Sequence, residues 1–214
     1  MRIVIGTRVE RVDAAAVAAW AANYREVVID LGTGDGRFVR DVARRGPEVG
    51  AIGVDLCEAN LRGISRGAPG NALFVVADAL APPAELSRLA SHLTINFPWG
   101  SLLRGLLAGD DGLLTGLRSL ARAGAALDVR LNAGALGEAG WTLETGADRV
   151  AAALVRAGFA IVAARELPVA ALREVPTTWA KRLAFGRDPR AVQLKVVHAG
   201  RAADGSVLDG VRLG

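Results

Sequence analysis

The stretch from Val27 to Arg37, VVIDLGTGDGR, constrains the fold more than any other part of the chain. Val27, Val28, Ile29 and Leu31 form a short apolar, β-branched run suited to a buried strand, and Gly32, Gly34 and Gly36 punctuate a tight turn directly after it. A helix is expected next, because Phe38, Val39, Val42 and Ala43 share one helical face while Arg37, Arg40, Asp41, Arg44 and Arg45 mostly take the other. Strand, glycine turn and helix N-terminus together make a mouth where backbone can approach a ligand closely.

That mouth is acidic. Asp30 and Asp35 stand where a pyrophosphate would need neutral or positive groups, and G-x-G-x-G is shorter than the dinucleotide fingerprint. A cationic cofactor without phosphate suits it better, and S-adenosylmethionine, with a sulfonium and an amino group, meets that demand. Asp55 closes a second apolar run, Ala51 to Val54, and lies 23 positions after Gly32. This is near the spacing of about 20 expected for an acid that binds ribose hydroxyls.

At 214 residues the chain suits one domain, here expected over 1–200 and followed by a mobile, glycine-rich tail at 201–214. Its 51% hydrophobic content contains no uninterrupted run long enough for a membrane span, so the apolar residues belong to a soluble core. The N-terminus has no apolar stretch of signal-peptide length. One cysteine, Cys57, fits a reducing cytoplasm, and with only His92 and His198 besides, no metal site is expected. The net charge is +4, and all but two of the 26 basic residues are arginine. Base composition or nucleic-acid binding would each account for that choice.

Read in order, 1–12 makes a β-hairpin, and Asp13 caps a helix whose face of Val17, Trp20, Ala21 and Tyr24 places Trp20 in the core. After the mouth, strands are expected at 50–54, 73–76, 93–97, 125–131, 159–164 and 191–198, with helices at 57–65, 85–90, 113–121 and 148–157 and a turn at Gly124. This βαβ rhythm implies an α/β fold with a parallel sheet covered on both sides. The detour at 168–190 is expected to be a substrate-binding insertion.

In such sheets the ligand crevice lies outside the strand carboxyl ends. The cofactor set is therefore expected to be Asp30, Gly32, Thr33, Gly34 and Asp35, then Asp55 and Leu56, Ala77 and Asp78, and finally Asn96 and Phe97. The following loop, Pro98 to Arg104, fixes backbone beside the transferred methyl through Pro98 and offers the flat face of Trp99. Stacking a base on one aromatic contributes about 1–3 kcal/mol, so Trp99 and Trp179 together suit a flipped nucleobase.

At these residues the chain resembles the 16S rRNA adenine N1-methyltransferases of the kanamycin and apramycin resistance type, which act on adenine 1408 of the decoding site. The similar segments are Val4 to Val9 in the hairpin, Asp30 to Gly36, Pro98 to Gly105, and Thr178 to Leu183 with Arg187 and Asp188. The resemblance implies a class I, Rossmann-like S-adenosylmethionine-dependent methyltransferase, built on a seven-stranded, mostly parallel sheet with an N-terminal β-hairpin. It further implies an adenine held between Trp99 and Trp179 beside Pro98, with Thr178 next to the base. For rRNA it implies contacts from Arg187, Arg190, Arg104, Lys181, Arg182, Arg62 and Arg66. The implied partner is 16S rRNA in the 30S subunit, met by a cytoplasmic monomer that confers aminoglycoside resistance. The chain departs from the family pattern at Pro189, where a basic residue is expected.

Adenine N1 carries an in-plane lone pair and no proton, so methyl transfer to it needs no general base, and none is evident in the sequence. Two alternatives remain at this level. A tRNA guanine-N7 methyltransferase also has an Asn-Phe-Pro loop, but continues with Asp-Pro-Trp where Trp99-Gly100 stands here. A catalytically silent rRNA-binding or assembly protein would keep the pocket without the reaction.

Overall fold

The structure, a computed structural model, describes residues 1–199; the tail read above as mobile lies outside the described residues. The chain opens with a hairpin, β1 (Arg2–Ile5) and β2 (Arg8–Arg11), after which Asp13 caps α1 (Ala14–Ala21) by accepting from the Ala16 amide. The apolar run becomes β3 (Glu26–Leu31), and the glycine turn leads into α2 (Arg37–Arg45). Alternation continues through β4 (Val49–Asp55), α3 (Glu58–Ser65), β5 (Ala72–Val76), a 3-10 turn at Ala84–Leu86 and β6 (Ala90–Asn96). Then come α4 (Gly100–Ala108), α5 (Asp111–Leu120), β7 (Ala121–Asn132), α6 (Ala133–Glu138) and α7 (Leu143–Arg156). The chain ends its described part with β8 (Phe159–Glu166), α8 (Val169–Glu174), α9 (Thr178–Ala184) and β9 (Ala191–His198).

The strands form one sheet in the order β2-β1-β5-β4-β3-β6-β7-β9-β8. β5, β4, β3, β6 and β7 run parallel, while β9 and β8 close one end antiparallel. At the other end β1 pairs antiparallel with β5, so the hairpin and the seven other strands make a continuous surface of nine. Strand order reverses between β3 and β6, which puts a crevice outside their carboxyl ends.

Burial explains why these runs are strands: Val27, Ile29, Leu31, Ile52, Leu93 and Ile95 are wholly buried between helical layers. One apolar cluster lies under α1, α4, α5 and α7. A second, built from Val39, Ala43, Leu61, Ile64 and Phe74, seats α2 and α3 on the opposite face. A third joins Phe97 to Leu167, Leu172, Val175, Ala180, Ala184 and Ala191, so the 168–190 segment has its own small core. Among the described residues no helix is long and apolar enough to cross a membrane.

Several elements differ from the sequence reading. Residues 100–108, read as loop, are a helix that buries Leu102, Leu103, Leu106 and Leu107; Pro98, Gly100 and Gly105 mask that periodicity. The expected helix at 85–90 shrinks to one 3-10 turn, because Arg88 takes a left-handed φ of 57° and Ala90 already belongs to β6. Phe97 lies beyond β6 with φ 52°. Gly124 is not a turn before a new strand: β7 runs from Ala121 through it, with a register irregularity against β6. Ala121 accordingly opens β7 rather than ending a helix. α7 begins earlier than expected, where Thr142 and Thr145 form a capping box, and α6 was not expected. Trp20 is half-buried rather than core; it packs on Tyr24 at 4.8 Å and donates its indole N–H to the Gly70 carbonyl at 3.2 Å. Both rings cover Gly50, where a Cβ would meet them at 2.8–2.9 Å.

Candidate active site

The carboxyl end of β3 delivers Asp30 and the glycine turn to the crevice. Gly32 has φ 69°, and a Cβ there would lie 2.7 Å from Leu102 Cδ2, so α4 packs against bare backbone. The Gly34 amide donates to Asp55 Oδ2 at 2.8 Å, and the Cys57 amide donates to Asp55 Oδ1 at 2.8 Å. One carboxylate thereby ties the ends of β3 and β4 together, and each of its oxygens keeps a lone pair for a ligand hydroxyl.

Asp30 is buried and anchors a polar chain across the sheet. Asp30 Oδ1 accepts from Thr94 Oγ1 at 2.6 Å and from Asn96 Nδ2 at 2.9 Å, while Asn96 Oδ1 accepts from Arg130 Nη1 at 2.5 Å. Burial pushes the Asp30 carboxyl from 3.8 up to about 6, opposed by the side chains of Thr94, Thr33 and Asn96 and by the Arg130 charge. One neighbour away, Asp128 accepts from Gln193 and faces His92 at 3.0 Å. Burial would raise its carboxyl, but His92, Arg130 and Lys195 outweigh burial and hold it below the usual range. Three buried polar atoms lack a partner in hydrogen-bond geometry among the described residues: Thr33 Oγ1, which still lies close enough to Asp30 to lower its carboxyl, Asn132 Nδ2, and Trp99 Nε1, which lines the cleft. Orphaned donors of this kind ask for a polar ligand.

The cleft has a volume of about 530 Å³. Asp30, Gly32, Thr33, Gly34 and Asp35 line it from the mouth, and Asp55, Leu56 and Asp78 from the neighbouring strand ends. Asn96, Phe97, Pro98 and Trp99 close one side, and Thr178, Trp179 and Arg182 enter from α9. Trp99 and Trp179 lie face to face, with ring centroids 5.3 Å apart and planes inclined by 28°. Thr178 Oγ1 donates to Asp35 Oδ2 at 2.6 Å, and Arg37 pairs with that oxygen at 3.1 Å, so the insertion is latched to the glycine turn. The Arg182 guanidinium sits 5.3 Å from the Trp179 ring centroid.

Other residues expected at the site lie elsewhere. Ala77 is not in the lining; its amide donates to the Asp55 carbonyl at 3.1 Å, and Ala79 faces the cleft in its place. The Phe97 ring is buried in the third cluster, so it offers the cleft only left-handed backbone. Arg62 spends its guanidinium on Glu58 and on the Thr7 carbonyl, bracing the hairpin. Arg190 pairs with Asp188 at 2.8 Å. Arg66, Arg104 and Arg187 are exposed outside the cleft, and Lys181 faces away from it between α2 and the insertion. The sequence reading missed Asn60, Ser101, Leu102 and Thr177. Thr177 had a readable signal, since it caps α9 through the Ala180 amide.

The family described as NpmA, 16S rRNA (adenine(1408)-N(1))-methyltransferase, matches residues 2–198. The chain is 32% identical over 204 residues to the 16S rRNA (adenine(1408)-N(1))-methyltransferase of Streptoalloteichus hindustanus, covering 88% of this chain and 94% of that protein. An Escherichia coli protein of the same description is 32% identical over 205 residues, with 87% and 94% covered. The crystal structure of the 16S rRNA methyltransferase KamB matches with a TM-score of 0.84 at 30% identity, over 92% of this chain and 99% of that one.

Proposed function

The chain belongs to the 16S rRNA (adenine(1408)-N(1))-methyltransferase family, and from that premise we propose that it methylates N1 of adenine 1408 in the 16S rRNA of the 30S subunit, using S-adenosylmethionine. It does so as a cytoplasmic monomer, and the product confers aminoglycoside resistance. The observation that carries this reading is the pair of indoles, one after β6 and one on α9, facing each other over an acidic cleft.

The residues present fit the cofactor. Asp30 is a buried anion awaiting a positive charge, Asp55 holds free lone pairs for hydroxyls, and Trp99 Nε1 is a buried donor without a partner in the cleft lining. When bound, S-adenosylmethionine supplies an electrophilic methyl group on a sulfonium. The chain's own work is then placement. Trp99 and Trp179 grip the flat faces of the adenine, Pro98 stiffens the approach to N1, and Thr178, held by Asp35, borders the base. No residue has to remove a proton, because N1 has none, and alignment supplies the rate. The methylated adenine is cationic and repels the ammonium groups of aminoglycosides at the decoding site.

The 168–190 segment acts as the substrate-binding insertion, carrying Trp179 on a separate small core. The sequence of the loop, Trp99-Gly100 after Pro98, and the family membership favour this reading over a tRNA guanine-N7 methyltransferase. The intact acidic pocket favours it over a silent binding protein. Primer extension on 16S rRNA from 30S subunits treated with enzyme and cofactor should stop at adenine 1408. Absence of that stop, with cofactor bound, overturns the proposal.

A further inference from the structure

A furrow of about 300 Å³ runs between α2 and the two helices of the insertion, outside the methyl-transfer cleft. Arg37, Arg40, Arg44 and Arg45 line it from α2, and Arg173 and Lys181 from α8 and α9. Only Asp41 and Glu174 oppose them. Six cations against two carboxylates is a marked local excess in a chain whose totals are 26 and 22. Arg45 pairs with Asp41 at 2.9 Å and Arg37 with Asp35 at 3.1 Å. Among the described residues Arg40, Arg173 and Lys181 have no carboxylate partner, and Arg44 reaches only the Gly67 carbonyl at 3.4 Å. Arg37, Arg40 and Arg44 repeat at helical spacing, so like charges share one stripe of α2, an arrangement that disfavours the isolated helix.

The furrow joins the cleft at its rim. Arg37 and Thr178 hold the same oxygen of Asp35, and Lys181 stands one turn beyond Thr178 on α9. We propose that this furrow seats the phosphodiester backbone of the rRNA flanking the flipped adenine, an assignment that rests on the reading of rRNA as substrate. Guanidinium forks match phosphate oxygens, and the deficit of carboxylates leaves them free to do so. Because the two walls belong to separate apolar clusters, a seated backbone also draws the insertion, and Trp179 with it, against α2.

The test is binding of the full chain to 30S subunits across a salt series. Arg40→Glu with Arg173→Glu, one change per wall, should lower 30S affinity by about tenfold or more. It should also flatten the log–log salt slope by about 1.4–1.8, from roughly 0.7–0.9 per phosphate contact. Cofactor affinity should stay within about twofold, because neither side chain lines the cleft. Arg40→Lys with Arg173→Lys should keep most of the slope because the charge is kept, and Arg40→Gln with Arg173→Gln, which removes charge without reversing it, gives the slope readout should the Glu variant not fold. The same charge change made elsewhere, Arg118→Glu with Arg156→Glu, should have a smaller effect. An unchanged slope, or equal losses at both positions, overturns the assignment. So does an equal loss of binding to bulk tRNA, which marks a general polyanion site. Unmodified adenine 1408 with wild-type enzyme sinks the methylation reading alone, whereas normal methylation with a furrow variant that binds normally sinks the furrow alone.

Discussion

Trp99 and Trp179 stack directly on each other, centroids 5.3 Å apart, although 80 residues separate them in the chain. A base intercalated between two flat faces needs two stacking spacings, about 6.8 Å. The indoles occupy each other's faces in this structure, so the proposed clamping of a base requires them to part, and the insertion that carries Trp179 packs in a cluster distinct from the main core.

Replacing Trp179 by Ala should lower kcat/KM for 30S subunits by about 5- to 150-fold, the equivalent of roughly 1–3 kcal/mol of stacking. Phe at this position should recover part of the loss. Cofactor affinity, measured by calorimetry, should change little; a parallel loss of cofactor binding would show that Trp179 acts structurally.

Asp30 makes stability and cofactor affinity depend on pH in opposite senses. Its carboxyl titrates at about 6 in the fold against an ordinary 3.8, so the stabilisation of the protonated form is complete below 3.8 and is lost as pH rises through about 6. The ionised, buried carboxylate then costs the cofactor-free protein on the order of 3 kcal/mol. Asp30→Asn should raise the melting temperature at pH 7.5 and abolish this pH dependence. Wild-type affinity for the cationic cofactor should rise with pH through about 6, and that of the variant should stay weak and flat. Titrations at pH 5 and 7.5 decide the matter.

Gly32 and Gly34 separate steric from ligand effects. At Gly32, φ is 69° and a Cβ lies 2.7 Å from Leu102 Cδ2, so Ala should lower stability beyond the roughly 1–2 kcal/mol of left-handed strain alone. At Gly34, φ is 58° but no protein atom lies within 4 Å of the Cβ, so Ala should incur only that strain. Both changes should weaken cofactor binding. Chemical denaturation beside calorimetry checks the split, and equal destabilisation would refute it.

Leu172 is wholly buried in the cluster of the insertion, so Leu172→Ala removes packing worth about 2–5 kcal/mol there. Amide hydrogen exchange should quicken across 168–190 with the central strands unaffected, and KM for 30S subunits should rise more than kcat falls. Uniformly faster exchange through the sheet would show that the insertion is not a separate unit.

Much of the scaffold was legible because its signals are local. The apolar run of β3, the glycines that accept positive φ, the cap at Asp13 and the strand at Ala191–His198 follow from neighbouring residues alone. α4 escapes because Gly100 and Gly105 interrupt its pattern, yet Gly105 is what lets it lie close to Leu80, while Gly32 on the facing turn admits Leu102. Trp20 reads as core in the sequence because helical periodicity tells which side a residue faces, not how deep it lies.

The sequence by itself determined that a strand, a glycine turn and spaced acids would make a cationic cofactor's mouth, since backbone geometry and charge are properties of short segments. Tertiary structure alone decided that Thr178 would latch to Asp35 across 143 positions, that the two indoles would stack directly on each other, and that arginines of α2 would face Lys181. Those relations depend on how the insertion packs onto the sheet, and that packing is set by shape complementarity among distant apolar residues such as Phe97 and Leu172, which no local period encodes.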